Sequence, residues 1–283
     1  MSDRRSGGEA IGFIGLGVMG APMAANLVKA GHRVVGFDID GARRAEAEAD
    51  GVSMASSCAE LAGTSGEVVV SIVRTWQDTQ EAVFGADGFA QGCRSGQVLV
   101  VMSTLDPSSM TRLAEDLANR GVAAVDAPVS GGRAGAENAS LSIMASGPAE
   151  VLERVRPVLE AMGQNIYVVG ERPGMGQAAK LANQLMLGVN MLGASEGLAI
   201  AKQHGVDEDQ LMELLSVSTG GSWVTNNWDR IRSFWRDPRS YNDLAIITKD
   251  LRSALKEGDE QGLSMPVTAV TFQRLHHVWE SER

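Results

Sequence analysis

Up to Gly170 the chain alternates between short apolar runs and amphipathic segments. The runs are four to seven residues long and nearly continuously apolar, which is typical of strands covered on both faces. Helical segments such as Ala21–Ala30 and Ser108–Asn119 lie between them. The alternation predicts an α/β domain with a parallel sheet between two layers of helices. The predicted strands are Ile11–Ile14, Arg33–Phe37, Glu67–Val73, Val98–Met102, Val122–Val125, Leu141–Ala145 and Ile166–Val169.

Beyond Gly170 the pattern changes to long helical segments, without strand candidates of comparable quality. Glycine, arginine and proline interrupt the chain at Gly170–Gly174, which is typical of a boundary. We therefore predict two domains, 1–172 and 173–283, of which the second is all-α. The predicted helices of this domain are Gly176–Gln203, Asp207–Leu215, Asp243–Gln261 and Val267–Glu280.

Composition narrows the functional classes. A chain of 283 residues that is 44% hydrophobic can bury a core in each of two domains. Its formal net charge of −10 argues against nonspecific nucleic-acid binding, which needs a clustered basic surface. If the substrate is acidic, its pocket must supply local positive charge.

Targeting and metal signals are weak. The segment Met1–Ala10 is polar, so it does not resemble a signal peptide, and polar residues interrupt the apolar stretch Leu181–Ala201, so no membrane partner is expected. Cys58 and Cys93 lack metal-ligand spacing and are expected to be unreactive thiols in a reducing compartment, with no metal site. We expect a soluble, cytoplasmic protein.

A glycine-rich loop follows the first predicted strand. Its spacing, G-x-G-x-x-G, is common by chance in a chain with 33 glycines, and the alternative is a glycine-rich packing turn. Its position between a strand and a helix favours a dinucleotide-binding loop, in which successive glycines permit a tight turn, close approach of a pyrophosphate and helix–strand packing. The residues of the loop are Gly15, Leu16, Gly17, Val18, Met19 and Gly20.

Asp38 ends the second predicted strand, 18 residues after Gly20. A carboxylate at this point would accept hydrogen bonds from the adenosine ribose and repel the additional phosphate of NADP, so NAD is favoured. Arg43 and Arg44 follow closely and could hold that phosphate, or could lie on the solvent face of the next helix. NADP therefore stays open as an alternative.

The segment Asp126–Gly132 follows another predicted strand, at the end that faces the ligand crevice of an open parallel sheet. The hydroxyl of Ser130 and the backbone N–H groups of Gly131 and Gly132 would form a cradle for a substrate carboxylate. An ordinary glycine turn is the alternative.

Lys180 and Asn183 are three residues apart on a predicted helix and share a face, which Asn190 extends. The helix is apolar enough to be buried on most sides, so a ligand cleft explains these polar side chains, although a lysine can also reach solvent along its stem. Lys249 and Asp250 by themselves suggest a solvated helix face. The segment Gly220–Trp223 could line a pocket or form a glycine loop anchored by a buried tryptophan.

In order along the chain, these segments resemble the β-hydroxyacid dehydrogenase family, which includes 3-hydroxyisobutyrate dehydrogenase, tartronate semialdehyde reductase and, more distantly, 6-phosphogluconate dehydrogenase. The resemblance extends from Ile11 to about Val278. It rests on GFIGLGVMGAPMAANL at Gly12–Leu27, MST at Met102–Thr104, DAPVSGG at Asp126–Gly132, GMGQAAKLANQ at Gly174–Gln184 and KDL at Lys249–Leu251.

The resemblance implies a Rossmann-type domain, a long interdomain helix and an all-α domain that makes the oligomer contact, in a homodimer or homotetramer. It implies that Lys180 is the catalytic lysine, that Asn183 orients the substrate, and that Ser130, Gly131 and Gly132 hold the substrate carboxylate. Thr104 and Lys249 would approach the nicotinamide.

The chain departs from the family pattern in the loop that contains Val73, which the resemblance places near the cofactor. Relatives often carry Leu-Pro where this chain has Val73 and Arg74, followed by Thr75 and Trp76.

Together these observations predict reversible NAD-dependent oxidation of a short 3-hydroxy acid, with Lys180 as general acid and base. Two alternatives stay open. One is an imine-reducing relative, which the presence of Lys180 disfavours. The other is a catalytically idle NAD-binding interaction module.

Overall fold

In the computed structural model, the structure describes residues 10–236 and 241–281. The chain divides into two compact units, of which the first ends at Lys180 and the second begins at Leu181. This division falls inside one continuous helix, Met175–Gln203. A division inside a helix does not locate a linker, so the predicted domains 1–172 and 173–283 stay a prediction.

The first unit is built on one sheet, in which nine strands lie within the described residues. They follow the order β3-β2-β1-β4-β5-β6-β8-β7, and β9 pairs with β8. The strands are β1 (Ile11–Ile14), β2 (Val34–Phe37), β3 (Ser53–Met54), β4 (Val68–Ser71), β5 (Val98–Val101), β6 (Ala123–Asp126), β7 (Val129–Ser130), β8 (Leu141–Ser146) and β9 (Gly163–Gly170). The Rossmann-type α/β fold predicted from the sequence is confirmed.

The last strands depart from the predicted parallel sheet. Strands β1 to β6 are parallel, whereas β8 is antiparallel to β6 and to β7. The only helix between β6 and β8, Gly132–Glu137, has six residues and therefore spans about 9 Å. Such a short element does not carry the chain back along the sheet, so β8 enters in the reverse direction. The longer helix Ala149–Glu160 then returns the chain, and β9 is parallel to β8.

Alternate residues of the central strands build two cores, one on each face of the sheet. Phe13 and Val70 belong to one cluster of buried side chains, whereas Ile14 and Val69 belong to the other. This period of two is the strand pattern expected when both faces are covered. The helices of this unit are α1 (Gly20–Lys29), α2 (Gly41–Ala49), α3 (Cys58–Thr64), α4 (Trp76–Phe84), α5 (Phe89–Gly92), α6 (Pro107–Ala118), α7 (Gly132–Glu137) and α8 (Ala149–Glu160).

The second unit is helical, as predicted. Its core contains Met191, Trp228, Ile231, Leu251 and Leu275, each at most 6% exposed. None of the helices in the described part of the chain is long and apolar enough to cross a membrane. The helices are α9 (Met175–Gln203), which begins in the first unit, α10 (Glu208–Ser216), α11 (Trp223–Asn226), α12 (Trp228–Arg236), α13 (Tyr241–Glu260) and α14 (Pro266–Ser281).

Candidate active site

The glycine loop makes a turn that a side chain would obstruct. Gly15 has φ +92°, and a Cβ on it would lie 2.2 Å from the carbonyl oxygen of Ile72. A Cβ on Gly20 would lie 1.9 Å from the carbonyl oxygen of Gly15. The backbone N–H of Gly15 donates to the carbonyl of Phe37 at 2.9 Å, which joins the turn to β2. The first and last glycines are therefore required by the close approach of backbone to backbone.

The middle of the loop is open. A Cβ on Gly17 would meet only the guanidinium of Arg43, at 3.4 Å, and Val18 is 64% exposed. Helix α1 starts here without a side-chain cap. An uncapped helix start presents backbone N–H groups, and a loop without side chains lets a phosphate reach them. The loop from Gly15 to Gly20 therefore fits the pyrophosphate of a dinucleotide.

Asp38 is 7% exposed and is held against this loop. Its Oδ2 accepts a hydrogen bond from the backbone N–H of Leu16 at 2.7 Å, and its Oδ1 accepts one from the N–H of Asp40 at 2.9 Å. Each carboxylate oxygen has two acceptor sites, so capacity for ribose hydroxyls stays available. Asp38 thus fixes the loop in addition to the cofactor role predicted for it.

Both arginines after Asp38 turn back towards it. The guanidinium Nη1 of Arg43 lies 3.9 Å from Asp38 Oδ2, and Arg44 Nη1 donates to the carbonyl oxygen of Asp38 at 2.7 Å. Arg44 also lies over the ring of Phe37. Arg43 is nevertheless 48% exposed, so it also lies on a solvent face, whereas Arg44 is half-buried. Their positions place two cations beside the carboxylate that would face the ribose.

Replacing Asp38 with alanine should narrow the preference for NAD over NADP, because the repulsion of the 2′-phosphate is removed while both arginines are retained. The same change removes the acceptor of the Leu16 N–H, so binding of both cofactors should weaken. The measurement is the ratio of kcat/KM with NAD to kcat/KM with NADP. A wild-type enzyme that already prefers NADP would contradict this role and point to Arg43 or Arg44.

The adjacent strand ends bring Val73 and Thr104 to the same edge of the sheet. The order β2-β1-β4-β5-β6 places the carboxyl ends of these parallel strands side by side. A Cβ on Gly15 would lie 3.2 Å from Val73 Cγ1, and the N–H of Val73 donates to Ser103 Oγ at 2.8 Å. Thr104 follows Ser103 directly. The structure therefore places three segments predicted to contact the cofactor next to one another.

The predicted carboxylate cradle lies where β7 ends. Ser130 pairs with Ser142 of β8, is partly exposed, and its hydroxyl makes no hydrogen bond with any described residue. Gly131 and Gly132 have φ of +130° and +62°, a conformation that favours glycine. A donor that has no partner among the described residues, beside accessible backbone N–H groups, suits an anionic ligand. The next residue, Arg133, is 71% exposed and forms an ion pair with Glu137, so it is not part of the predicted cradle.

Sequence reasoning missed the role of Asp126, the first residue of the DAPVSGG motif. Asp126 is fully buried at the end of β6, and its Oδ2 accepts hydrogen bonds from the N–H groups of Gly174 at 3.0 Å and Gln177 at 2.9 Å. The hydroxyl of Ser146 donates to the same oxygen at 3.2 Å and accepts from the N–H of Gly176 at 3.0 Å. These two side chains cap the start of α9.

The side chain of Gln177 continues this network to β5. Its amide nitrogen donates to Asp126 Oδ1 at 2.8 Å and to the carbonyl oxygen of Ser103 at 3.0 Å. Its amide oxygen accepts from the N–H of Leu105 at 2.8 Å. Gln177 is fully buried, so each of these hydrogen bonds is shielded from water. We name Asp126, Ser146 and Gln177 together the α9 anchor.

The glycines of the GMGQAAK motif have a packing role in the α9 anchor. Gly174 has φ +99°, and a Cβ on it would lie 2.9 Å from the carbonyl oxygen of Pro107. A Cβ on Gly176 would lie 2.4 Å from the carbonyl oxygen of Met144 and 2.9 Å from Asp126 Oδ2. A larger residue would push the helix start away from α6 at Gly174 and away from the sheet at Gly176.

Burial raises the pKa of Asp126 from 3.8 to about 6, although hydrogen bonds from Gln177, Gly174 and Ser146 act in the opposite direction. In the folded state the carboxyl keeps its proton at pH values where the unfolded chain has lost it. Its contribution to stability is therefore fully present below pH 3.8 and is lost as the pH rises through about 6. A shift of this size corresponds to about 3 kcal/mol.

We accordingly expect the free energy of unfolding of wild type, minus that of Asp126→Asn, to fall by roughly 2 kcal/mol between pH 4 and pH 7. The variant loses hydrogen bonds at every pH, so only the change of the difference with pH is informative. Urea titrations at both pH values measure it. A difference that is constant or rises with pH would show that burial does not favour the protonated carboxyl.

Lys180 and Asn183 differ in their environments. Lys180 is 7% exposed and lies three residues beyond Gln177, whereas Asn183 is exposed and donates to the side-chain oxygen of Gln184 at 3.2 Å. The expectation that α9 is buried on most sides is wrong, because Met186 is 56% and Ile200 68% exposed. The burial of Lys180 is therefore local to the start of the helix.

Lys249 and Asp250 do not form the solvated pair suggested by their sequence. Asp250 is 1% exposed, Lys249 Nζ lies 2.8 Å from its Oδ1, and Gln184 donates to its Oδ2 at 2.7 Å. The charge pair is thus built into the second unit, where a buried carboxylate requires such partners.

The structure decides one of the two interpretations of the Gly220–Trp223 segment, namely the loop anchored by a buried tryptophan. Trp223 is 51% exposed and begins α11, with the guanidinium of Arg230 over its ring. The interpretation of this residue as a buried anchor is therefore wrong.

Comparison with known proteins identifies the family. A family model described as the NAD binding domain of 6-phosphogluconate dehydrogenase matches residues 10–170. A second, described as NAD-binding of NADP-dependent 3-hydroxyisobutyrate dehydrogenase, matches residues 174–282. A 3-hydroxyisobutyrate dehydrogenase of Pseudomonas aeruginosa is 38% identical over 92% of this chain and 89% of its own. A 2-(hydroxymethyl)glutarate dehydrogenase of Eubacterium barkeri is 36% identical, over 93% of this chain and 87% of its own.

The chain belongs to the β-hydroxyacid dehydrogenase family. A solved structure of this family, a Mycobacterium tuberculosis 3-hydroxyisobutyrate dehydrogenase with L-serine, is 29% identical with a TM-score of 0.83, covering 97% of this chain and 99% of that one. The resemblance noted in the sequence is thus confirmed. This β-hydroxyacid dehydrogenase is an NAD(P)-dependent oxidoreductase that acts on a CH–OH group. Its site residues stay predictions.

Proposed function

We propose that this dehydrogenase oxidises a short 3-hydroxy acid reversibly to its semialdehyde or keto acid, with NAD as the preferred cofactor. The observation that carries the proposal is the position of Lys180. This lysine is 7% exposed and lies one turn beyond Gln177, whose side chain is bonded to the ends of β5 and β6. Those strand ends share an edge with the glycine loop that suits a dinucleotide.

Lys180 acts as general acid and base in this proposal. In the oxidative direction its neutral amine accepts the proton of the substrate hydroxyl. When bound, the nicotinamide accepts the hydride from the carbon that carried that hydroxyl. In the reductive direction the ammonium form of Lys180 returns the proton to the forming oxygen, so the same group serves both directions.

The substrate carboxylate would bind at Ser130, Gly131 and Gly132. The hydroxyl of Ser130, which makes no hydrogen bond with any described residue, and the two backbone N–H groups would donate hydrogen bonds to this carboxylate. Asn183 would orient the substrate, a role that the family resemblance implies.

The cofactor would bind along the edge that the glycine loop begins. The residues from Gly15 to Gly20 would hold the pyrophosphate and Asp38 the adenosine ribose. Val73 and Thr104, on the neighbouring strand ends, would lie beside the remainder of the cofactor. For Lys249 the family resemblance implies a role near the nicotinamide.

Replacing Ser130 with alanine should raise KM for the hydroxy acid with a smaller change in kcat. A charge-assisted hydrogen bond of this kind contributes about 1.5–3 kcal/mol. KM should rise much less for an ester or alcohol that lacks the carboxylate. Equal losses on charged and uncharged substrates would show that Ser130 shapes the loop or contacts the cofactor.

A substrate panel tests the proposed reaction. It contains 3-hydroxyisobutyrate, glycerate, L-threonate, L-serine and 4-hydroxybutyrate, each with NAD and with NADP, and the isobutyl alcohol analogue as a control without the carboxylate. Formation of the reduced nicotinamide is expected with at least one 3-hydroxy acid. Reduction of cyclic imines alone would support an imine-reducing enzyme, and cofactor binding without turnover would support an interaction module.

We also propose that the chain forms a homodimer or homotetramer through its helical unit and acts in the cytoplasm. Large apolar side chains of this unit are exposed on several helices, among them Met186, Ile200, Leu214, Val267 and Val270. Sedimentation equilibrium tests the assembly, and a monomer at micromolar concentration would contradict it.

A further inference from the structure

The start of α9 is held to the sheet from two strands at once. Asp126, at the end of β6, accepts hydrogen bonds from two N–H groups of the helix start, and Ser146 of β8 accepts a third. The ends of β6 and β8 are paired with each other at these same two residues. The position of the helix start is therefore fixed by a rigid part of the sheet.

Gln177 fixes the same helix to the loop after β5. Its side chain binds the carbonyl oxygen of Ser103 and the N–H of Leu105, which are the residues on either side of Thr104. Lys180 follows Gln177 by three residues, so the two side chains lie on one face of the helix, about one turn apart. The anchor thus connects the backbone around Thr104 to the helix turn that carries Lys180.

The donors and acceptors of this anchor cannot be exchanged. The N–H of Leu105 requires the amide oxygen of Gln177 on its side, and the carbonyl of Ser103 requires the amide nitrogen. The nitrogen therefore faces Asp126 Oδ1, at 2.8 Å, and only an acceptor can occupy that position. A carboxylate at residue 126 satisfies every member of the network, whereas an asparagine there would turn one N–H₂ group towards another.

We propose that Asp126 and Gln177 are positioning residues that fix the amine of Lys180 relative to the Thr104 loop, and hence relative to the cofactor. This inference rests on the proposed role of Lys180 as general acid and base. An error of about 1 Å in such an alignment can lower a rate by roughly 10²-fold. The anchor therefore acts on turnover through Lys180 and does not itself touch the substrate.

Gln97 offers a matched control near the other end of β5. It is 3% exposed at the beginning of β5, the opposite end from Ser103. Its side chain also makes three hydrogen bonds, accepting from Arg94 N–H and donating to the carbonyl oxygens of Ala62 and Gly66. Gln177→Met and Gln97→Met therefore remove comparable buried networks, and only the first network leads to Lys180.

The first experiment measures both variants with NAD and 3-hydroxyisobutyrate as the probe substrate. Gln177→Met should lower kcat at least about tenfold while the KM for NAD changes less than about threefold, whereas Gln97→Met should keep kcat within about threefold. Equal effects of the two variants on kcat, after correction for the folded fraction, would overturn the inference.

A second readout does not depend on turnover. The rate at which acetic anhydride modifies Lys180, relative to Lys202 on the same helix, is measured by mass spectrometry. Lys202 is 51% exposed and serves as the internal standard. Gln177→Met should raise this ratio at least about fivefold and Gln97→Met should not, because only the first releases the helix start. An unchanged ratio in Gln177→Met would overturn the inference even if kcat falls.

Reciprocal exchange covers the case in which Gln177→Met does not fold. Asp126→Asn and Gln177→Glu each place like groups opposite each other, whereas the double variant restores a donor facing an acceptor between residues 126 and 177 and leaves only the contact with the carbonyl oxygen of Ser103 unmatched. Its kcat should exceed that of Gln177→Glu at least about fivefold, and no recovery would overturn the inference. Lys180→Ala distinguishes a failure of the proposed function from a failure of the anchor. If Lys180→Ala retains activity, the proposed function fails. If Lys180→Ala loses activity and the variants of Asp126 and Gln177 do not, only the role of the anchor fails.

Discussion

Replacing Lys180 with alanine is expected to lower kcat by about 10²–10⁴-fold, the usual contribution of a general acid or base. The lysine is 7% exposed beside the anchored start of α9, so solvent does not readily replace its amine at the reacting oxygen. Because Lys180 acts on the substrate, the Kd for NADH should change less than about threefold. Steady-state kinetics at saturating substrate and fluorescence titration with NADH measure the two quantities.

Lys202 provides the control for this prediction, because it lies on the same helix, is half-exposed and pairs with Glu208. Lys202→Ala should keep kcat within about twofold. Lys180→Arg should be as inactive as Lys180→Ala, since a guanidinium stays protonated and cannot accept the hydroxyl proton. If Lys180→Ala stays within about threefold of wild type, another group carries the proton.

Replacing Gly15 with alanine is the second change with a large expected effect. The new Cβ would lie 2.2 Å from the carbonyl oxygen of Ile72, so the turn between β1 and α1 must move. We expect kcat/KM for NAD to fall on the order of 10²-fold, because a misplaced loop no longer matches the pyrophosphate. Left-handed backbone alone costs a residue with a Cβ about 1–2 kcal/mol. The free energy of unfolding of Gly15→Ala should fall by more than this amount.

Gly31 separates the steric effect from the backbone effect. Its φ is +91°, against +92° for Gly15, and nothing lies within 4 Å of a Cβ built on it. Gly31→Ala should therefore cost about 1–2 kcal/mol of stability and leave kcat/KM for NAD within about twofold. Similar losses of cofactor efficiency in both variants would show that the contact with Ile72 does not shape the loop.

The sheet could be predicted from the sequence because its buried strands are short and continuously apolar. The two cores, one on each face of the sheet, explain this pattern. Phe13 and Ile14 are adjacent in the chain and lie in different cores, which requires apolar residues at consecutive positions. The direction of β8 could not be predicted in this way, since an apolar strand has the same pattern whether it runs parallel or antiparallel to its neighbour. Only the shortness of α7 hints at the reversal.

The candidate site could be predicted where residues close together in the sequence determine the local geometry. The turn at Gly15 and the proximity of Asp38 to the loop follow from a strand–glycine–helix pattern and its spacing. The α9 anchor was not predictable, because Asp126 and Gln177 are separated by 51 residues and their pairing depends on the tertiary fold. The sequence does contain one indication of the role of Asp126, because a charged residue directly after a buried strand needs partners.

Some polar side chains are also more buried than the sequence predicts. Lys249 and Asp250 have the composition of a solvated helix face, but the carboxylate of Asp250 is 1% exposed and lies against Gln184 and Lys249. The helix α9 showed the opposite difference, since its apolar residues Met186 and Ile200 are exposed. Periodicity identifies an apolar face but does not say whether that face packs within the same chain.

The measurement that tests the central claim most directly is the initial rate of nicotinamide reduction by wild type and Lys180→Ala across the hydroxy-acid panel. We expect wild type to oxidise at least one short 3-hydroxy acid with a kcat/KM at least about 100-fold above that of the alcohol without a carboxylate. Lys180→Ala should lose this activity while still binding NADH. If wild type binds NADH but oxidises none of these acids, the proposed reaction is wrong. If Lys180→Ala oxidises them as fast as wild type, Lys180 is not the general acid and base.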